Sequence, residues 1–288
     1  MARFGRLVTA MVTPFDDQLQ IDFGKTERLI DHLLATGTEA LVVSGTTGES
    51  PTLSKTEKLD LFKHVVAYAK GRCQIIAGTG SNDTAASIEF TQAAEAIGVD
   101  AVMLVAPYYS RTSQEGLYQH FKALAESTRL PVMLYNVPGR TAVNMSAETT
   151  LRLAKLPNVV CIKEASGNLS QMAQIIEHAP EGFELYSGDD GLTLPILSIG
   201  GAGVVSVASH VVGKQMTEMM NAFFAGNHAE AAAVHRKLLP VFEGLFAYPS
   251  PTPTKAALEK LGVPVGGVRL PLVGLNEEQT AFVHGLLP

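Results

Sequence analysis

The chain has 288 residues, 46% hydrophobic and 17% charged, a globular composition with length for one large core or two smaller ones. A net charge of −6 with no long basic block argues against a nucleic-acid or anionic-membrane partner. No apolar run approaches the roughly 18 residues of a membrane span, and the two cysteines, Cys73 and Cys161, read as buried free thiols of a reducing, cytoplasmic compartment.

Arg3 and Arg6 precede Leu7 to Val12, a short run that carries Thr9 and leads to Pro14. It reads as a first strand rather than a signal peptide. Further β-rich runs follow at 40–45, 74–79, 101–106, 131–136, 159–164, 184–187 and 203–208, the first run extending over 7–13. Between them, apolar residues recur at helical spacing. Thr26 to Ala35 carries Leu29, Ile30, Leu33 and Leu34. Lys55 to Ala69 carries Leu59, Phe62, Val65 and Val66. Thr84 to Ile97 carries Ile88, Phe90, Ala94 and Ile97. Gly37, Gly71, Gly98, Pro131 and Pro157 punctuate the helix ends.

Strands alternating with helices predict parallel βαβ units, and eight of them predict an α/β fold closed as a (β/α)8, or TIM, barrel. The competing doubly wound sheet usually carries a glycine-rich nucleotide fingerprint, and neither GxGxxG after a strand nor GxxxxGK[ST] is present. Residues 214–288 have helix formers such as Ala229 to Val234 and no convincing strand. The expected organisation is a catalytic barrel over 1–225 and a helical extension over 226–288.

In a parallel barrel, chemistry gathers at the C-terminal strand ends. The second strand ends in Gly45-Thr46-Thr47-Gly48-Glu49-Ser50, whose hydroxyls and backbone N–H groups can hold a small carboxylate or simply cap a helix. The fourth ends in Pro107-Tyr108-Tyr109 and the fifth in Tyr135-Asn136-Val137-Pro138-Gly139-Arg140-Thr141. A tyrosine can relay protons or merely pack with its hydroxyl satisfied, the reading preferred for Tyr108. Arg140 can fork onto a carboxylate or sit in a surface ion pair. The seventh ends in Ser187-Gly188-Asp189-Asp190, read as a structural turn because no histidines complete a metal site.

Lys163, in Val159-Val160-Cys161-Ile162-Lys163-Glu164, is the most informative residue. Period-two alternation places Val159, Cys161 and Lys163 on one face. A lysine among buried residues loses hydration, which favours the neutral amine, a nucleophile toward carbonyl carbon. The bland alternative is a strand-end lysine reaching water. An amine, a carboxylate cradle, hydroxyl proton carriers and an anion clamp together fit Schiff-base chemistry on a small keto acid, without metal or organic cofactor.

Several longer motifs now stand in order: GTTGES at 45–50, AGTGSN at 77–82, APYY at 106–109, SQEGLYQHF at 113–121, YNVPGRT at 135–141, IKEASG at 162–167, SGDD at 187–190 and GVVSV at 203–207. With these, nearly the whole chain resembles the dihydrodipicolinate synthase family. The resemblance implies condensation of pyruvate with aspartate-4-semialdehyde on the lysine and diaminopimelate pathway. It implies that Lys163 forms the imine and that Thr46 and Thr47 hold the pyruvate carboxylate. Tyr135, Thr46 and Tyr109 become a proton relay, with Tyr109 reaching a neighbouring subunit's site. Arg140 takes the semialdehyde's carboxylate, and backbone at Gly188 and Val205 borders pyruvate. It further implies a homotetramer, a dimer of dimers. Lysine-inhibited members carry an effector cleft whose lining falls here at Ser50, Pro51, Lys55, Lys58, Asn82, Ala86 and Tyr108. Ala86 stands where sensitive members have a glutamate, so insensitivity to L-lysine is expected. Two rivals remain: another pyruvate-dependent aldolase, such as N-acetylneuraminate lyase or a keto-deoxy-sugar-acid aldolase, and an inactive small-molecule sensor on the same fold.

Overall fold

The computed structural model describes residues 2–287. Eight parallel strands close into a barrel in sequence order: β1 Leu7–Ala10, β2 Ala40–Val43, β3 Gln74–Gly78, β4 Ala101–Val105, β5 Val132–Asn136, β6 Val159–Glu164, β7 Glu184–Ser187 and β8 Gly203–Ser206. β1 pairs with both β2 and β8, which closes the ring. All eight strands lie where the β-rich runs predict them. β1 to β4 and β8 stop earlier at the C-terminal end, where the chain turns into the loops, while β5, β6 and β7 end where their runs end. After Ala10, for example, the Val12 N–H leaves the ladder and donates to His210 Nε2 at 3.2 Å. His210 is fully buried, and burial holds its pKa down to about 4. The ring therefore stays neutral, with Nδ1 facing the Val207 carbonyl at 2.8 Å and Nε2 free to accept.

Twelve α-helices surround and extend the barrel among the described residues. They are α1 Phe23–Ala35, α2 Lys55–Ala69, α3 Thr84–Ile97, α4 Gln114–Glu126, α5 Pro138–Thr141, α6 Ala147–Leu153, α7 Leu169–His178, α8 Thr193–Ser198, α9 Ser209–Phe224, α10 His228–Gly244, α11 Thr252–Lys260 and α12 Glu277–Gly285. Local chemistry sets their starts. Asp22 accepts from Lys25 N, Asp83 from Ala86 N, and Ser54 forms a reciprocal capping box with Glu57. Their ends follow the glycines: Gly98 caps α3 at φ 92°, and Gly71 at φ 75° follows the left-handed Lys70 at the end of α2. No helix among the described residues is long and apolar enough to cross a membrane.

Three apolar clusters make the interior. Leu41, Val43, Leu104, Leu134 and Ile162 face the helices, packing on Leu29, Phe62, Phe90 and Phe121. Val8, Val42, Met103, Met133, Cys161 and Tyr186 fill the barrel itself, stoppered at the N-terminal end by Phe4. There the Phe4 N–H donates to the Tyr186 hydroxyl at 3.2 Å, and that hydroxyl donates to Glu184 at 2.9 Å. The third cluster joins Leu7 and Val204 to α9, α10 and α12. A stoppered floor leaves the C-terminal mouth as the open end.

Two details depart from the sequence reading. Val159 does not share a face with Cys161 and Lys163. The β5–β6 register slips between Val132 and Met133, so Val159 packs outward with the helices while Val160 joins Cys161 inside. One extra residue in a ladder re-aims every side chain beyond it. The buried stripe of α3 also includes Ser87 and Thr91, while Ile88 and Ile97 are half-buried. Thr91 shares a 2.8 Å hydrogen bond with Thr79, so its hydroxyl is satisfied inside. Of the thiols, Cys161 is buried and Cys73 half-buried; both are free, and burial raises both pKa values, Cys73 to about 11.

Candidate active site at the barrel mouth

β6 delivers Lys163 to the inner face at the mouth, 4% exposed. Its register neighbours are Tyr135 on β5 and Tyr186 on β7. The Lys163 Nζ lies 4.3 Å from the centre of the Tyr135 ring. Strand alternation turns the adjacent Glu164 to the other face, away from the lysine. There its buried carboxylate accepts from Ser166 N at 2.7 Å, Asn136 Nδ2 at 3.0 Å and Gln171 Nε2 at 3.0 Å. Among the described residues no carboxylate forms an ion pair with Lys163, which leaves its nitrogen free for covalent chemistry.

Gly188 makes room for that side chain. It lies in the loop after β7, its N–H bonded to the Glu164 carbonyl at 2.8 Å. A Cβ on Gly188 would stand 2.7 Å from Ala165 Cβ and 3.2 Å from Lys163 Cγ. Only glycine lets the lysine stem and this loop pass. The following Asp189 and Asp190 are structural. Asp189 accepts from Gly191 N at 2.8 Å, and the buried Asp190 accepts from Val207 N at 3.1 Å and Ala208 N at 2.8 Å. Burial raises the Asp190 pKa. No group of three or more His, Cys, Asp or Glu able to hold a metal occurs among the described residues.

The β2 loop presents Thr46 and Thr47 to the same space. Ser44 at φ 57° and Glu49 at φ 55° bracket it in the left-handed region. Such conformations persist only where surroundings over-determine them. Here Gly48 N donates to Gly45 O at 3.1 Å, Glu49 N to Thr46 O at 3.1 Å, and Thr13 Oγ1 to Gly48 O at 2.6 Å. A cavity of about 690 Å³ brings together Thr46, Thr47, Tyr135, Arg140, Lys163 and Gly188. Arg140 projects from the short helix α5, exposed at the rim.

Two residues singled out in the sequence lie apart from this cavity. Val205 is buried inside the barrel, and Val207 lines the cavity from that loop. Tyr109 is 91% exposed at φ 74° and does not line the cavity at its own mouth. Tyr108, read as a packed ring, is 39% exposed and lines an adjoining cavity of about 270 Å³ with Thr46, Tyr135, Arg140, Ser50 and Lys58. The sequence reading missed Leu239, Phe242, Phe246 and Ser250, which wall the main cavity from α10 and the segment after it. Leu239, Phe242 and Phe246 carry no polar signature, so nothing in their spacing separated them from core, and Ser250 stands in no motif that marks it.

A closed parallel barrel with a buried, unpaired lysine ringed by hydroxyls at its mouth has the architecture of a Schiff-base-forming lyase. The chain matches the Dihydrodipicolinate synthetase family over residues 3–287 and belongs to it. It is 62% identical over 275 residues to 4-hydroxy-tetrahydrodipicolinate synthase 1 of Halalkalibacterium halodurans, covering 96% of this chain and 93% of the relative. A crystal structure of a Bacillus anthracis dihydrodipicolinate synthase superposes with TM-score 0.98 at 55% identity, covering 99% of this chain and 98% of that one. A lysine-bound structure from Cyanidioschyzon merolae gives TM-score 0.97 at 46% identity, covering 99% and 98%.

The packing at Gly188 gives a direct prediction. Gly188→Ala must push Ala165 or the Lys163 stem aside, and a displacement near 1 Å at a reacting group costs on the order of 10²-fold in rate. Turnover is expected to fall by about that factor with the circular dichroism spectrum unchanged. Wild-type kinetics in a folded variant would show that the loop gives way without moving the lysine.

Proposed function

We propose that this enzyme condenses pyruvate with L-aspartate-4-semialdehyde to 4-hydroxy-tetrahydrodipicolinate, a step of lysine and diaminopimelate biosynthesis. The observation that carries the reading is Lys163, buried beside Tyr135 and without a carboxylate partner among the described residues. Attack of its amine on the pyruvate keto carbon, with loss of water, gives an imine. Proton loss from the methyl group turns the imine into an enamine carbon nucleophile. That carbon attacks the aldehyde, and the resulting alkoxide takes a proton. The semialdehyde's own amine then displaces Lys163 at the imine carbon, closing the ring and freeing the enzyme.

Thr46 and Thr47, with the loop N–H groups, would hold the pyruvate carboxylate. Tyr135, Thr46 and Tyr109 would pass the protons, a contribution typically worth about 10²–10⁴-fold. Gly188 and the β8 strand at Val205 would border the pyruvate, the latter from beneath. Arg140 at the rim suits the semialdehyde's carboxylate. No organic cofactor enters this scheme. The barrel over 1–225 would supply the chemistry and the extension over 226–288 one wall of the cavity. A cytoplasmic location suits a pathway enzyme with free thiols. In a direct assay the purified enzyme should consume pyruvate with aspartate semialdehyde. Turnover only with a sugar-acid aldehyde would favour an aldolase instead.

Arg140→Ala should leave imine formation with pyruvate largely intact. A charge-assisted fork onto carboxylate contributes about 1.5–3 kcal/mol, so kcat/KM for the semialdehyde should fall roughly 10–100-fold. An unchanged kcat/KM would place Arg140 outside the site.

Assembly follows from Tyr109. A tyrosine held outward at positive φ, 91% exposed, suits a ring that enters a neighbour's mouth. We assign it to the partner's relay in a dimer, two of which would make a tetramer. Tyr109→Phe and Lys163→Ala chains are each expected to be defective alone. Refolded together, their mixed dimers contain one site with both residues intact, and partial activity should return. Demonstrated mixed dimers without recovery would confine Tyr109 to its own subunit.

The effector cleft is expected to reject L-lysine. Ala86 offers no carboxylate there, and Lys58, its pKa lowered by burial, lines the adjoining cavity with its cation. Lys55 is already neutralised by an ion pair with Glu89. Loss of one charge-assisted hydrogen bond costs about 1.5–3 kcal/mol, or roughly 10–100-fold in affinity. Activity should therefore persist in millimolar L-lysine. Saturable inhibition at sub-millimolar concentration would mean that another acid, such as Glu89, takes over.

A further inference from the structure

The buried lysine at the barrel mouth has a counterpart outside it. Lys255, on α11, is 4% exposed, and its ammonium stands 2.7 Å from Glu49 Oε1. The two side chains are 3% and 0% exposed, so this pair is removed from water. Glu49 Oε1 makes no well-directed hydrogen bond, and the Lys255 charge is its partner. Its second oxygen accepts from the Arg269 backbone N–H at 2.9 Å. Lys255 is held in turn by the Gly267 carbonyl at 2.6 Å and lies 4.2 Å from the centre of the Phe15 ring. The Arg269 guanidinium donates to the Leu19 and Thr52 carbonyls and to Glu57 at 2.5 Å. Burial pulls the Lys255 pKa down to about 8 against the opposing pull of Glu49.

Glu49 is no ordinary surface acid. It closes the turn that displays Thr46 and Thr47, its N–H bonds the Thr46 carbonyl, and its backbone sits at φ 55°. A left-handed glutamate does not hold that shape unaided. Removing one partner of a buried pair strands an uncompensated charge, which must then find water or rearrange its loop. We infer that Lys255 is a positioning residue: through its buried ion pair with Glu49 it locks the C-terminal extension onto the Thr46–Thr47 loop and sets the geometry of the pyruvate carboxylate cradle. This rests on the substrate reading above. Arg140, on α5, stands outside the lock, so the two substrates should report differently on its loss.

The test is Lys255→Met, which keeps the stem and removes the charge. KM for pyruvate is expected to rise roughly 10–100-fold, the loss in binding that follows when one hydrogen bond to a charged group is lost, while KM for aspartate semialdehyde stays at the wild-type value. If the lone Glu49 charge prevents folding, the neutral pair Glu49→Gln with Lys255→Met removes it and should show the same selective rise. A folded variant with lower Tm and unchanged pyruvate KM would make the pair a staple only and overturn the inference. So would a parallel rise in both KM values, which signals general loosening. Wild-type enzyme is assayed alongside: no turnover of the two substrates there would instead fail the substrate reading itself, and this inference with it.

Discussion

Everything at the barrel mouth depends on keeping one lysine buried without giving it a carboxylate. Burial of an ammonium among apolar and aromatic neighbours is costly unless a counter-charge accompanies it. Lys255 meets that requirement with Glu49, and Lys163 does not. The strand solves the problem by alternation. Lys163 enters the mouth beside Tyr135, while Glu164 turns outward to three donors and stays there. A carboxylate on the inner face one residue away would claim the nitrogen as an ion pair and leave no free amine at the mouth. Gly188 completes the arrangement by leaving the lysine stem a path.

Rigidity around that nitrogen comes from polar groups that do no chemistry. Asp190 ties the β7 loop to the start of α9 through two backbone N–H groups, and His210 ties that region to the end of β1. The β2 loop is wound through two left-handed residues and anchored from below by Thr13. Each of these contacts fixes a loop at the open end of the barrel, where the sheet no longer does. The chemistry of imine formation needs reacting groups held to fractions of an ångström, and these buried networks supply that order.

The barrel was legible because its signals are local. Eight β-rich runs, helical spacings and glycine stops each depend on a few neighbouring residues, and the strands fall where those signals place them. Lys163, Thr46, Thr47, Tyr135, Arg140 and Gly188 were legible as strand-end residues, and the closed ring brings them round one cavity. What remained hidden depends on long-range geometry. The register slip beside Val132 sends Val159 outward, which strict alternation does not foresee. Phe242 and Phe246 look like core on a helical extension, yet they wall the cavity. Glu49 and Lys255 are far apart in sequence and only the fold pairs them. Buried Thr91 defeats an apolar-stripe reading because Thr79 satisfies it.

The central claim is that Lys163 is the imine-forming residue, and borohydride reduction in the presence of pyruvate tests it most directly. The account predicts one stable adduct per chain, located at Lys163 by peptide mass mapping and absent from Lys163→Ala. It also predicts no adduct in Lys163→Arg, because a guanidinium stays protonated and cannot form the imine. A stable adduct at Lys155 or Lys255 in the native enzyme, or trapping that persists in Lys163→Ala, would contradict it.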